Sequence, residues 1–335
     1  MAKRVTILGA GSWGMAMAAH LDRHGHTVTL WEFDERALGL LQSTRAQPDK
    51  LPDFRLAESI DITGSLNDAV GDCELLLITT PAQFVRNVLT RVDRNRIRAE
   101  AVVNLAKGVE NNTLKRMSEV IADETGLPAE RIITISGPSH AEEVALDLPT
   151  TVVAAGPNEA LVTAVQEEFS GGNFRVYYCD DLVGVELGGS LKNIIAIAAG
   201  IADGLGMGDN AKGALITRGL AEITRLGVAM GAAPETFAGL SGIGDLVTTC
   251  FSRHSRNRSV GDRIGRGETL DDVLASMSMV AEGVATCRSG KELAIRYDVE
   301  MPITAQTYRV LFDHKAPGDA VADLMGRSLK AEIWQ

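Results

Sequence analysis

The chain has 335 residues, 45% of them hydrophobic, which is enough for two domains with a core each. Its net charge is −11 with acidic and basic residues mixed throughout, which argues against a nucleic-acid or membrane-surface protein. An anionic ligand must therefore be drawn in by a local basic cluster.

Lys3 and Arg4 precede an uncharged run ending near Ala16-Met17-Ala18, superficially like a secretion signal, but the glycines within it have their own explanation. Val5-Thr6-Ile7-Leu8 reads as a strand that ends in Gly9-Ala10-Gly11-Ser12-Trp13-Gly14, and a helix is expected from Met15 to Arg23. In a strand, glycine turn and helix, Gly9 permits the turn, Gly11 lets backbone approach a pyrophosphate, and Gly14 lets helix pack on strand. The phosphates would sit at the helix N-terminus. A second strand, Thr27 to Trp31, ends in Glu32, an acid placed to accept hydrogen bonds from an adenosine ribose and to repel a 2′-phosphate. Glu32 thus favours NAD over NADP, unless it only opens a solvated loop with Asp34 and Glu35; Arg36 and Arg45 could still reach a 2′-phosphate.

Leu75 to Thr79 and Ala101 to Leu105 read as buried parallel strands, with a helix from about Gln83 to Arg91 between them. The second runs into Ala106-Lys107-Gly108, placing Lys107 at a strand's carboxyl end, the edge where open α/β sheets bind ligands, although a loop lysine is more often merely solvated. After a helix near Leu114 to Glu124, the strand Ile132 to Ile135 delivers Ser136-Gly137-Pro138-Ser139-His140-Ala141-Glu142-Glu143, a turn opening a helix. Thr150 to Ala155 and Asn173 to Tyr177 complete the strand-rich half.

From Asp181 on, strand signals almost vanish. Helices are expected over Asp181 to Gly204, Ala211 to Met230, Ser255 to Ile264, Asp271 to Ser276, Ala281 to Tyr297 and Ile303 to Phe312. The expected architecture is an α/β Rossmann domain with a mostly parallel sheet over residues 1–180, followed by an all-α domain over 181–335. In the first of these helices Val185, Gly188, Gly189, Lys192, Asn193, Ala196 and Gly200 share one face. A lysine among small residues loses water, which lowers its pKa toward the range useful for proton transfer; the alternative is a lysine that snorkels to the surface. Leu240-Ser241-Gly242-Ile243-Gly244-Asp245 puts Asp245 at a helix start. Ser252-Arg253-His254-Ser255-Arg256-Asn257-Arg258 joins three arginines to free helix N–H groups, a way to hold phosphate, or else a solvated face. The cysteines Cys73, Cys179, Cys250 and Cys287 form no metal or disulfide pattern and read as reduced thiols in a cytoplasmic protein. No other segment is expected to approach the roughly 20 apolar residues of a membrane span.

Together GAGSWG, AKG, SGPSHAEE, ELGGSLKNIIAIAAGIADGLG, NAKGALITRGLAE, LSGIGDLVTTC, SRNR and VAEG, in this order over nearly the whole chain, resemble the bacterial-type NAD(P)-dependent glycerol-3-phosphate dehydrogenase family. The resemblance implies reversible hydride transfer between a nicotinamide cofactor and dihydroxyacetone phosphate, giving sn-glycerol 3-phosphate for glycerophospholipid synthesis. By matching motif it makes Lys192 the general acid/base, supported by Lys107, Asn193 and Asp245. It puts the substrate phosphate on Ser255, Arg256 and Asn257, with Gly137 and Ser139 lining the substrate pocket. Besides the glycine turn, cofactor contacts would come from Ser12, Trp13, Lys107, Ala141, Arg256, Val280 and Glu282. No metal is implied, and a homodimer is expected from apolar faces of the helical half.

The sequence departs from the family at Glu32-Phe33, where many members carry a small residue followed by a basic one, and this strengthens the expectation of NAD. The loop Gln47-Pro48-Asp49-Lys50-Leu51-Pro52 also differs from the usual asparagine- and tyrosine-containing version. Two other readings share the pattern: a β-hydroxyacid dehydrogenase, whose carboxylate substrate would not require the Ser255-Arg256-Asn257 clamp, and a non-catalytic dinucleotide sensor.

Overall fold

The computed structural model describes residues 2–329 and 331–332. Strands and helices alternate first: β1 (Arg4–Leu8), α1 (Ser12–Arg23), β2 (Thr27–Trp31), α2 (Glu35–Thr44), β3 (Asp61–Thr63), α3 (Leu66–Gly71), β4 (Leu75–Ile78), α4 (Val85–Leu89), β5 (Ala101–Asn104), α5 (Met117–Thr125), β6 (Ile132–Ser136), α6 (Ala141–Ala145), β7 (Thr150–Ala155), α7 (Glu159–Phe169) and β8 (Phe174–Cys179). The described chain is then helical: α8 (Leu182–Gly204), α9 (Gly208–Ala229), α10 (Asp245–Phe251), α11 (Arg256–Gly265), α12 (Leu270–Ala275), α13 (Glu282–Arg296), α14 (Pro302–Phe312) and α15 (Pro317–Met325).

The sheet runs β3-β2-β1-β4-β5-β6-β7-β8, parallel as far as β6. β7 joins antiparallel to β6, and β8 runs parallel to β7. Strands β4, β5 and β6 are short apolar runs buried along their whole length because helices cover both faces. The chain winds outward from β1 to β3 and then returns to β4 beside β1, so a crevice opens at the carboxyl ends of β1 and β4. Gly9 holds φ +119° there, and a Cβ on Gly14 would stand 1.9 Å from the Gly9 carbonyl oxygen, so α1 begins hard against the end of β1. Thr79 closes the turn from β4, donating its hydroxyl to the Leu8 and Gly9 carbonyls at 3.0 and 2.8 Å.

Helix α8 is the centre of the helical half and also packs on β6 and β7. Asp181 caps it, accepting from Gly184 N at 2.8 Å, and binds Ala233 N and the Thr236 hydroxyl with its other oxygen. Glu186, one turn in, accepts from Ser118 N, the Ser118 hydroxyl and the Arg116 guanidinium at 2.8, 2.6 and 2.6 Å, which ties α8 to α5. Contrary to the expectation that no such segment exists, α8 is long and apolar enough to cross a membrane by length and composition; 89% of its most apolar window is buried inside the protein, as a core helix requires.

Small residues let α8 and α11 cross backbone to backbone. A Cβ on Gly200 would lie 2.0 Å from the Arg258 carbonyl, and one on Gly261 2.0 Å from the Ile197 carbonyl. We predict that Gly261→Ala destabilises the protein by about 2 kcal/mol net, because the overpacking exceeds the gain in helix propensity. Denaturant unfolding checks this, and a neutral or stabilising outcome would contradict the close approach.

Candidate active site

Three titratable groups from three elements meet beneath the crevice. Lys192 of α8 donates to Asp245 Oδ1 and to Thr249 Oγ1, both at 2.5 Å. Lys107, following β5, donates to Asp245 Oδ2 at 2.8 Å, to the Gly137 carbonyl at 2.8 Å and to Ser139 Oγ at 3.4 Å. Asp245 opens α10 and is buried. Burial favours its neutral form, but the two ammonium groups outweigh this and hold its carboxyl below the usual range. Lys192 is only 6% exposed. Burial lowers its pKa to about 8, Asp245 opposing the shift and Lys107 adding to it. An ammonium has three N–H donors. Among the described residues the three of Lys107 are engaged, whereas Lys192 has two engaged and keeps one for the cleft it lines.

The side amides beside Lys192 brace the second wall. Asn257 Nδ2 donates to Asn193 Oδ1 at 2.9 Å, and Asn257 Oδ1 accepts from Gly283 N at 2.9 Å, linking α8, α11 and α13. Ser255 caps α11, accepting from Arg258 N at 3.2 Å. Arg256, exposed, donates to the Val280 carbonyl at 2.8 Å. Of the three arginines in this basic stretch only Arg256 lines the cleft. Arg258 instead pairs with Asp203 at 2.7 Å, and Asp203 also binds Lys212 at 2.5 Å. The expected phosphate-holding island is thus reduced to Ser255, Arg256 and Asn257.

The cleft holds about 570 Å³ and runs from Gly9, Gly11, Ser12 and Trp13 past Lys107, Ser139 and Ala141 to Lys192, Asn193 and the Ser255-Arg256-Asn257 wall. Glu32, Val280 and Glu282 also face it. Its shape suits a dinucleotide: Gly9 and Gly14 leave no space that a side chain would fill, and the N-terminus of α1 opens toward the cleft with no side-chain cap. Glu282 binds Ala82 N at 2.9 Å through one oxygen, while its other oxygen is buried and has no partner among the described residues. Burial raises its pKa to about 7.

A family model described as the N-terminus of NAD-dependent glycerol-3-phosphate dehydrogenase matches residues 4–162, and one described as its C-terminus matches residues 181–322. The chain belongs to the NAD-dependent glycerol-3-phosphate dehydrogenase family. It is 51% identical to glycerol-3-phosphate dehydrogenase (NAD(P)+) 2 of Salinibacter ruber, over 100% of this chain and 97% of that one. It is 49% identical to glycerol-3-phosphate dehydrogenase (NAD(P)+) of a Geobacter species, over 99% of each. A solved glycerol-3-phosphate dehydrogenase from Coxiella burnetii superposes with a TM-score of 0.93 at 38% identity, covering 97% of this chain and 99% of that one.

The structure gathers most residues expected at a site of this family along one cleft, and it sets three of them behind its walls. Gly14 lies under the turn, Gly137 offers its carbonyl to Lys107, and Asp245 acts from behind the two lysines. Arg45, weighed as a 2′-phosphate ligand, is engaged elsewhere, with the carbonyls of Ala57 and Ile60. Neither Arg36 nor Arg45 lines the cleft. Sequence reasoning missed Thr249, although its position four residues after Asp245 places both on one helical face. It also missed His140, inside the 136–143 segment, and Lys50, which reaches Glu32 Oε2 at 3.3 Å. Among the described residues no group of three or more His, Cys, Asp or Glu is placed to hold a metal ion.

Proposed function

We propose that the chain reduces dihydroxyacetone phosphate to sn-glycerol 3-phosphate with a nicotinamide dinucleotide, and runs the reverse reaction when concentrations favour it. The observation that carries this reading is the remaining N–H of Lys192, on a group with a pKa of about 8, lying between a dinucleotide turn and a phosphate clamp. The bound dinucleotide supplies or accepts the hydride. In reduction, Lys192 donates its proton to the carbonyl oxygen as that oxygen gains negative charge; in oxidation the neutral amine removes the hydroxyl proton. Asp245 and Thr249 fix the amine's position, and Lys107 neutralises the second oxygen of Asp245. The clamp anchors the remote phosphate and so orients the carbonyl against the amine. Mixing purified protein with NADH and dihydroxyacetone phosphate should consume absorbance at 340 nm, whereas β-hydroxyacids with NAD should give little; the opposite pattern would favour the hydroxyacid reading.

The dinucleotide of choice is NADH. What supports this is the Glu32 carboxylate at the end of β2, facing the cleft and held by Asp34 N at 3.0 Å and by Lys50 at 3.3 Å, an ion pair that occupies the nearest cation; Phe33 follows it, with Arg91 stacked 5.2 Å from its ring centroid. We expect kcat/KM for NADH to exceed that for NADPH by about tenfold, and Glu32→Ala to narrow the ratio, since a carboxylate beside a 2′-phosphate is repulsive. A higher kcat/KM for NADPH in the wild type would overturn the assignment.

A further inference from the structure

His140 is the last residue of the turn after β6 and sits just before α6, lining the same cleft as Ser255. Its Nε2 is enclosed and has no hydrogen-bond partner among the described residues. Burial, and then the charges of Lys192 and Lys107, push its pKa down to about 4, so at neutral pH the ring is uncharged and carries one donor and one acceptor. Its nearest aromatic neighbour is His254, with ring centroids 5.9 Å apart, directly before the Ser255 cap. Among the described residues, the buried side-chain atoms that lack a partner and belong to cleft-lining residues are His140 Nε2 and Glu282 Oε2. Glu282 is held at Ala82, on the dinucleotide side.

The substrate proposed above has three polar parts. Its carbonyl takes the proton of Lys192 and its phosphate meets the Ser255-Arg256-Asn257 clamp, which leaves the primary hydroxyl. The neighbouring polar groups have partners within the protein: Lys107 has three acceptors, Ser139 donates to the Gly137 carbonyl at 2.9 Å, and Asn193 accepts from Asn257 through Oδ1, with its Nδ2 3.5 Å from the Lys107 carbonyl. A buried polar atom left without a partner is costly, and a ligand hydroxyl that satisfies it is strongly selected over an analogue lacking that hydroxyl. We infer that His140 hydrogen-bonds the substrate's primary hydroxyl and selects for it. A neutral ring suits this neutral group, since it can donate or accept without adding a third positive charge beside the two lysines.

The inference rests on the proposed reaction, and the test separates the two. Steady-state kinetics compare dihydroxyacetone phosphate with acetol phosphate, in which a methyl replaces the hydroxymethyl group, for wild type, His140→Phe and His140→Gln. Wild type should favour dihydroxyacetone phosphate by about tenfold or more, the factor that one buried hydrogen bond supplies. In His140→Phe that preference should collapse through loss on dihydroxyacetone phosphate alone, with KM for NADH unchanged, and His140→Gln should recover part of it. Equal losses on both substrates, or no preference in wild type, overturn the role of His140. A wild type inactive on both refutes the proposed reaction instead, and NADH binding by each variant confirms that it is folded.

Discussion

Lys192→Ala should lower kcat/KM for dihydroxyacetone phosphate by about a thousandfold or more while leaving NADH affinity close to wild type. The size follows from removing a positioned general acid, which contributes roughly 10²–10⁴. The fold should survive, because Asp245 keeps Lys107 at 2.8 Å and is not left as an unpaired buried charge. Lys192→Arg should rescue little: arginine keeps the charge but does not release its proton near neutral pH. The pH dependence has opposite signs in the two directions. Reduction needs the protonated amine, so its kcat/KM falls as pH rises through about 8; oxidation needs the neutral amine and gains over the same interval. Stopped-flow or steady-state assays in both directions check this. Parallel rather than opposed profiles would show that another group carries the proton.

The same helix shows how much of the molecule the sequence reveals. α8 is legible because its lysine and its small residues share one face while the apolar remainder fills the others, and the observed Leu182–Gly204 matches the expected helix to one residue. The glycine turn is legible because Gly9 and Gly14 have steric reasons that no other residue satisfies, a positive φ and a contact with the Gly9 carbonyl, whereas Gly11 leaves open space on the cleft. β3 escapes because it has three residues with a single buried apolar one, Ile62, and owes its existence to pairing with β2. α7 escapes for a different reason: Val162, Val165 and Phe169 repeat on a helical face, but three such positions over eleven residues between two strand-like runs make a weak periodic signal. The helix expected from Gln83 to Arg91 is regular only from Val85 to Leu89, because Pro81 fixes the backbone ahead of it and leaves a tighter turn first. At the site, residue types were readable but their partners were not. Nothing local in the sequence says that Arg258 turns to Asp203 while Arg256 turns to the cleft; that division arises from the α8–α11 crossing.

That division makes Arg256 the decisive residue for the choice between a phosphate and a carboxylate substrate. Arg256→Ala should lower kcat/KM for dihydroxyacetone phosphate by about a hundredfold or more, mostly through KM, since a charge-assisted bond to phosphate is worth about 1.5–3 kcal/mol and two forks can act together. Loss of the bond to the Val280 carbonyl at 2.8 Å adds a smaller rise in KM for NADH, because Val280 faces the same cleft. The phosphate-free compound dihydroxyacetone separates these terms. It has no dianion for the clamp, so its already slow turnover should change by no more than the NADH effect in Arg256→Ala. Arg256→Lys should recover part of the loss, as a point charge without the fork. Arg256 is exposed and its removal leaves the Asn193–Asn257 brace in place, so a large effect cannot be assigned to unfolding. Equal losses on the phosphorylated and unphosphorylated compounds would move the phosphate away from Arg256, and an unchanged kcat/KM on both would return the hydroxyacid reading to consideration.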